Sequence, residues 1–171
     1  MKKSSLILGL ACLSPMSFAS DEAEFASGNG FKLFLAYGVF RSFQSSKEEG
    51  VRSLDSLASS AILVEGLKRA TRVPRPDHTG HDSFPSGHTA LAFTVATFQA
   101  ETHPKEAAWW YLGAGLIGQS RLDLHVHHTT DVLAGAALGY FVTKAELRSK
   151  TGFIIQPTGD GAAVLGVSIR F

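Results

Sequence analysis

The sequence predicts an all-α fold, a compact helical bundle followed by a short C-terminal β-hairpin. Three observations carry that expectation. Apolar residues recur at helical spacing through much of the 171-residue chain. The small residues Ala134, Gly135, Ala136, Ala137 and Gly139 suit a helix that approaches a neighbour backbone to backbone. Past Thr151 the pattern changes to short β-prone stretches around a turn. With 44% hydrophobic and 18% charged residues, the composition supports one domain with a real core and excludes a disordered tail, a collagen-like repeat or a disulfide-stapled miniprotein. The formal charge of +1 leaves no cation excess for a broad polyanion surface, so no nucleic-acid partner is expected. Any anion must be handled locally.

The first residues read as a signal peptide. Met1-Lys2-Lys3 is a basic start, residues 6–13 are apolar, and Ser17-Phe18-Ala19 supplies small residues where a signal peptidase reads. The apolar run is too short to span a bilayer. Lipidation at Cys12 fits less well, because Gly9 stands where a large aliphatic residue is expected. The chain is thus expected to comprise a leader (1–19), a helical domain (20–150) and a hairpin of the same domain (151–171), exported to the periplasm. Without the leader it holds no cysteine, so disulfides and thiolate metal sites drop out.

After a polar start (20–30), the apolar and aromatic residues 31–43 predict a short helix, ended by the Ser/Lys/Glu stretch 45–50. Leu54, Leu57, Ala58, Ala61, Ile62 and Val64 predict a second helix from Ser53 to about Ala70. The Pro and Gly breaks in 72–84 predict a loop. Pro85-Ser86 then opens a helix to about Glu101, with Ser86 as N-cap. His103-Pro104 breaks it, residues 105–121 form the next helix, and Thr129 or Thr130 caps the last, from Asp131 to about Lys150. Residues 153–155 and 164–171 form the hairpin around the turn 157–161. The helices read as soluble or membrane-surface, not spanning.

All seven His lie between positions 78 and 128, preceded by the cations Lys68, Arg69, Arg72 and Arg75. Lys68 at a helix end and Arg75 in the following loop can reach one anion, the first as a point charge and the second as a planar fork. Pro85-Ser86-Gly87-His88 places free backbone N–H groups at a helix start, with Gly87 allowing close approach; His88 stands beside the anion so bound. His127 and Asp131, four apart, fall on one helical face or turn, so the carboxylate can take the Nδ1 proton and leave Nε2 as a nucleophile. Arg121 supplies a third cation. This set fits phosphoryl transfer through a phosphohistidine. His78, His81 and His103 read as surface loop residues, Asp123 as structural, and Trp109-Trp110-Tyr111 as core or interface. His125-Val126-His127-His128 lacks the further ligands of a metal site.

Lys68 with Arg75-Pro76, Pro85-Ser86-Gly87-His88, and Ser120-Arg121 with His127 and Asp131 together resemble the motifs of the type 2 phosphatidic acid phosphatase and vanadium haloperoxidase superfamily. The resemblance covers residues 68–131. It implies the helical bundle of that superfamily and phosphatase chemistry with neither metal nor cofactor. It also implies His127 as nucleophile held by Asp131, His88 as the acid for the leaving oxygen, and Lys68, Arg75, Ser86, Gly87 and Arg121 as the phosphate cradle. The substrate expected is a phosphorylated small molecule or lipid, a phosphomonoester or pyrophosphate, met with peripheral membrane contact. A vanadate-dependent haloperoxidase and a non-catalytic phosphate-binding envelope protein are the alternatives. The loop between Arg75-Pro76 and Pro85 is short, so the substrate-selecting architecture of larger members is expected to be missing or simplified.

Overall fold

The computed structural model describes residues 19–149, 152–157 and 163–166. Apart from Ala19, the expected leader lies outside the described residues, as do residues 158–161 of the expected turn and residues 167–171 of the expected second strand. Residues 20–30, expected as a polar start, are helical. Helix α1 (Ser20–Phe25) passes through a π-helical turn (Ala26–Gly30) into α2 (Phe31–Ser45). Asp21 and Glu22 suit the positive end of a helix dipole, and the segment buries only Ala23 and Ser27, too few positions to leave a helical period.

The corner after α2 is a single residue. Ser46 is extended, and its hydroxyl accepts from the Glu49 N–H at 3.0 Å, so it caps α3 (Lys47–Thr71). The stretch 45–50 therefore ends one helix and starts the next, and α3 begins six residues before the expected Ser53.

Helix α4 (Gly87–Thr102) is the centre of the bundle. It packs on α2, on α3, on α5 (Ala107–Asp123) and on α6 (Thr129–Arg148); a 3-10 turn (Pro104–Glu106) joins it to α5. Ala92, Val95 and Ala96 of α4 form the apolar core with Trp110, Ala114 and Ile117 of α5. Buried on most sides, α4 must also satisfy its polar side chains. Thr94 Oγ1 donates to Ser60 Oγ, and Gln99 Nε2 donates to the Gly38 carbonyl and to Ser42 Oγ, each at 2.8 Å. Trp110 is core, whereas Trp109 is 74% exposed.

The small residues of α6 act as the sequence suggests. A Cβ on Gly135 would stand 2.5 Å from the Ser86 carbonyl oxygen, and one on Gly139 2.2 Å from that of Ala90. The helix starts at Thr129, with His128 rather than a threonine at the N-cap position. Strands β1 (Ile155–Pro157) and β2 (Ala163–Leu165) pair antiparallel, with Ile155 opposite Leu165. The buried Asp55 carboxylate holds this end of the chain to α3, accepting from the N–H groups of Phe153, Ile154 and Ile155 at 2.6–2.8 Å. Among the described residues, no helix is long and apolar enough to cross a membrane.

The packing of α6 sets a direct test. Gly139→Ala forces its methyl into the α4 backbone and is expected to cost about 1–3 kcal/mol. Gly66→Ala, at an α3 position with nothing within 4 Å of the new Cβ, is expected to be neutral or to gain up to about 1 kcal/mol. Urea unfolding of both variants checks the contrast.

Candidate functional site

Six parts of the chain meet at one end of the bundle. Helix α3 contributes Lys68 from its last turn, and the loop after it contributes Arg75, Asp82 and Ser83. Helix α4 begins there with Ser86 at its N-cap position, then Gly87 and His88. Arg121 comes from the last turn of α5, His127 from the α5–α6 connection and Asp131 from the first turn of α6. One backbone bond ties two of these parts together: the Ser86 N–H donates to the Asp131 carbonyl at 2.9 Å.

The start of α4 is open. The Ser86 side chain does not cap the helix; it accepts from Thr89 Oγ1 at 2.9 Å. The N–H groups of Gly87, His88 and Thr89, the first three of the helix, have no acceptor within it. A Cβ on Gly87 would make only ordinary contacts, 3.5 Å to Val64 Cγ1 and 3.9 Å to Lys68 Cε. The fold itself therefore does not require glycine there, and the open main-chain donors lie beside the Lys68 side chain, an arrangement of the kind that binds anions.

The cations are held by different partners. Arg75 makes a bidentate pair with Asp82, Nε at 2.7 Å and Nη2 at 2.9 Å, which leaves Nη1 unengaged by that carboxylate. Lys68 Nζ donates to the Asp82 carbonyl and lies 3.9 Å from its carboxylate. The hydrogen bonds from Arg75 hold the Asp82 carboxyl down at about 2. Arg121 is 8% exposed, and its Nη1 donates to Ser27 Oγ of the π-helical turn. Its Nε is buried with no partner among the described residues, an orphan donor of the kind that a bound anion satisfies.

His127 and Asp131 are both buried, and they are brought close without a direct hydrogen bond. Nδ1 and Oδ2 are 3.7 Å apart. Ser83 stands between them, its Oγ 2.5 Å from Asp131 Oδ2 and 3.4 Å from His127 Nδ1. Asp131 also accepts from the His128 N–H at 2.8 Å and faces His128 Nδ1 at 3.1 Å. Burial works to raise the Asp131 carboxyl, but the hydrogen bonds from Ser83 and His128 outweigh it and keep it below its ordinary value. His127 precedes α6 instead of lying on it, so its i, i+4 relation to Asp131 is that of a turn.

Both site imidazoles are pushed down to about 4. Burial is the first cause for each, and the positive charges of Arg121, Arg75 and Lys68 add to it; Asp131 works the other way on His127. His88 packs against the Phe31 ring, centroids 4.3 Å apart. The same cations thus act on both rings, so the sequence-predicted residues form one electrostatic unit. Burial also lowers Lys68 and Arg121, and for both the charge of Arg75 adds to the effect. Ser27, Asp82 and Ser83 complete the site and were not singled out by sequence reasoning. Of these only Asp82 has a legible signal, a carboxylate seven residues after Arg75 in the loop that also carries Asp77 and two histidines.

A helical bundle that gathers guanidinium, ammonium, open main-chain donors and neutral imidazoles at a helix start defines a phosphate-handling protein. The sequence pattern of the PAP2 superfamily matches residues 50–153, and the chain belongs to that family. It is 38% identical over 117 residues to lipid A 1-phosphatase of Porphyromonas gingivalis, covering 60% of this chain and 26% of that one. Among solved structures it is similar to LpxE of Aquifex aeolicus, with 27% identity and a TM-score of 0.60 over 78% of this chain and all of that one. It is also similar to a PAP2-type phosphatidylglycerolphosphate phosphatase of Bacillus subtilis, with 25% identity and a TM-score of 0.58 over 74% and 71%. The chain spans less than two thirds of the length of the sequence relatives it matches, from 24% to 64%.

Three measurements follow from this geometry. NMR titration of the ligand-free protein is expected to show His88 and His127 taking up protons only near pH 4, with both values rising when orthophosphate is added. The unfolded chain protonates these rings near 6.5, so unfolding takes up protons between pH 4 and 6.5 and stability falls as pH is lowered through that window; thermal unfolding from pH 7 to 4 reads it. Ser83→Ala leaves Asp131 short of a buried donor and is expected to cost about 1.5–3 kcal/mol by urea unfolding.

Proposed function

We propose that this protein is a metal-independent phosphatase that hydrolyses phosphomonoesters or pyrophosphates, with lipid phosphates as its substrates, through a phosphohistidine. The observation that carries the reading is the orphaned Arg121 Nε together with the open α4 N-terminus and the neutral His127 nearby. Phosphate oxygens satisfy these donors, and a neutral imidazole keeps a lone pair on Nε2.

In this reading His127 Nε2 forms a bond to phosphorus while the bond to the ester oxygen breaks, and His88 gives that oxygen its proton. Neutral His88 then takes a proton from the water that attacks the phosphoimidazole, phosphate leaves, and His88 is again protonated. His88 in the free site is neutral at pH 7, so the dianion must first raise its pKa by offsetting the field of Lys68, Arg75 and Arg121. The His127 Nδ1–H is steered by Ser83 Oγ, which passes the pull of Asp131 through its own O–H. The haloperoxidase alternative draws no support from these residues beyond the shared cradle.

Lipid substrates are supported by the relatives named as lipid phosphatases and by exposed apolar surface on α1 and α2. A cavity of about 620 Å³ lined by Phe25, Ala26, Phe34, Leu116 and Ile117, with the carboxylates Asp21 and Glu22 also in its lining, includes a residue one helical turn before Arg121. Leu33, Tyr37 and Phe40 of α2 are more than half exposed. Export with removal of residues 1–19, and work at the outer surface of a membrane, belong to the same proposal.

Hydrolysis of a lipid phosphate in detergent and of a soluble aryl phosphate, both with a chelator present, tests it. Wild type is expected to be active on both, with a bell-shaped pH profile, and His127→Ala to lose about 10³-fold or more in kcat. Full activity in His127→Ala, or analogue binding with no turnover by the wild type, would sink the reading.

A further inference from the structure

The cation run 68–75 has four members, and the proposed reaction uses two of them, Lys68 and Arg75. The other two, Arg69 and Arg72, line a separate cavity of about 380 Å³ together with Lys68, His81, Glu65 and Asp82. Lys68 and Asp82 thus belong both to this cavity and to the cradle. Both of its carboxylates are already committed, Glu65 to Arg69 at 2.6 Å and Asp82 to Arg75. The side chains of Arg72 and His81 hydrogen-bond to none of the described residues.

Arg72 and His81 are both exposed, but they do not share one helix face, where charges would pair four residues apart as Arg69 and Glu65 do. Arg72 ends α3, and His81 belongs to the loop that follows; tertiary structure brings them to one concavity. Arg72 also stands at φ 48°, ψ 40°, the left-handed position after a helix where glycine or asparagine is favoured. A side chain is thus kept at a corner whose backbone gains nothing from it. The fork of Arg72, the ammonium of Lys68 and the imidazole of His81 are donors of the kind that hold phosphoryl oxygens.

We propose that this cavity is a second anion subsite, which holds a further phosphoryl group of a doubly phosphorylated substrate while the cradle holds the one that is cleaved. The proposal rests on the phosphatase reading above and narrows its substrate class to diphosphates or headgroups with a second phosphate. Lys68, shared by the two compartments, lies between the two groups.

The test compares wild type, Arg72→Gly, His81→Gln and the double variant on lipids of one chain length: a monophosphate, a diphosphate, and a bisphosphate with its second phosphate on a separate headgroup atom. Glycine suits the left-handed backbone at 72, so that variant keeps the fold. The kcat/KM ratio of doubly to singly phosphorylated lipid is expected to fall by about ten- to a hundredfold in the double variant. It falls for the diphosphate, the bisphosphate or both, according to the spacing that the cavity spans. Calorimetry with inorganic pyrophosphate and orthophosphate needs no turnover: wild type is expected to prefer pyrophosphate and the double variant to lose the preference. If no lipid is hydrolysed while that preference holds, the phosphatase reading fails and the subsite stands. An unmoved ratio with an unmoved preference overturns the subsite. So does a defect confined to binding of anionic vesicles, which would assign these cations to a membrane surface.

Discussion

The backbone contact between α4 and α6 is the constraint on which the site depends. Gly135 and Gly139 let the two helices meet main chain to main chain, and the Ser86 N–H bond to the Asp131 carbonyl fixes their starts at the same level. That registers the open N–H groups of α4 against the carboxylate that lies near His127. Side chains at either glycine would push the two starts apart, and the His127 imidazole would lose its relation to the open start of α4 even if every motif residue were retained.

Around this contact the chain concentrates positive charge and tolerates the consequence. Three cations surround two buried imidazoles, and the rings respond by staying neutral well below their ordinary value. Asp82 offsets part of the field, and it does so from the rim, where it also orients Arg75 and Lys68. In the proposed reaction a phosphate dianion offsets that field, which would couple substrate binding to the proton affinity of His88.

Much of the fold was legible because its signals are local. The helix breaks at His103-Pro104 and in the loop after α3, and the small-residue seam of α6, lie where the sequence puts them, since proline, glycine and alanine act through backbone geometry. The α1 segment was missed because two buried positions in eleven residues leave no period to read. The corner at Ser46 was legible in the Ser46-Lys47-Glu48-Glu49 cap but reads as a loop by composition. For the site, the motif residues gather as a group, whereas Ser83 and Ser27 were not legible: a serine carries no signal until tertiary structure sets it beside Asp131 or Arg121. The spacing of His127 and Asp131 gave proximity but not the hydroxyl that stands between them.

The bond from Arg121 to Ser27 spans 94 positions of the chain. Arg121 is positioned from one side by its own helix and from the other by a turn near the start of the described chain. In folding terms this is one of the longest loops the molecule has to close, and closing it costs more chain entropy than the local contacts within each helix. A bundle assembled from α3 to α6 alone would carry the motifs yet leave this guanidinium free to wander. The placement of Arg121 is thus a property of the completed fold, and one of its two supports comes from the segment that looked least like structure.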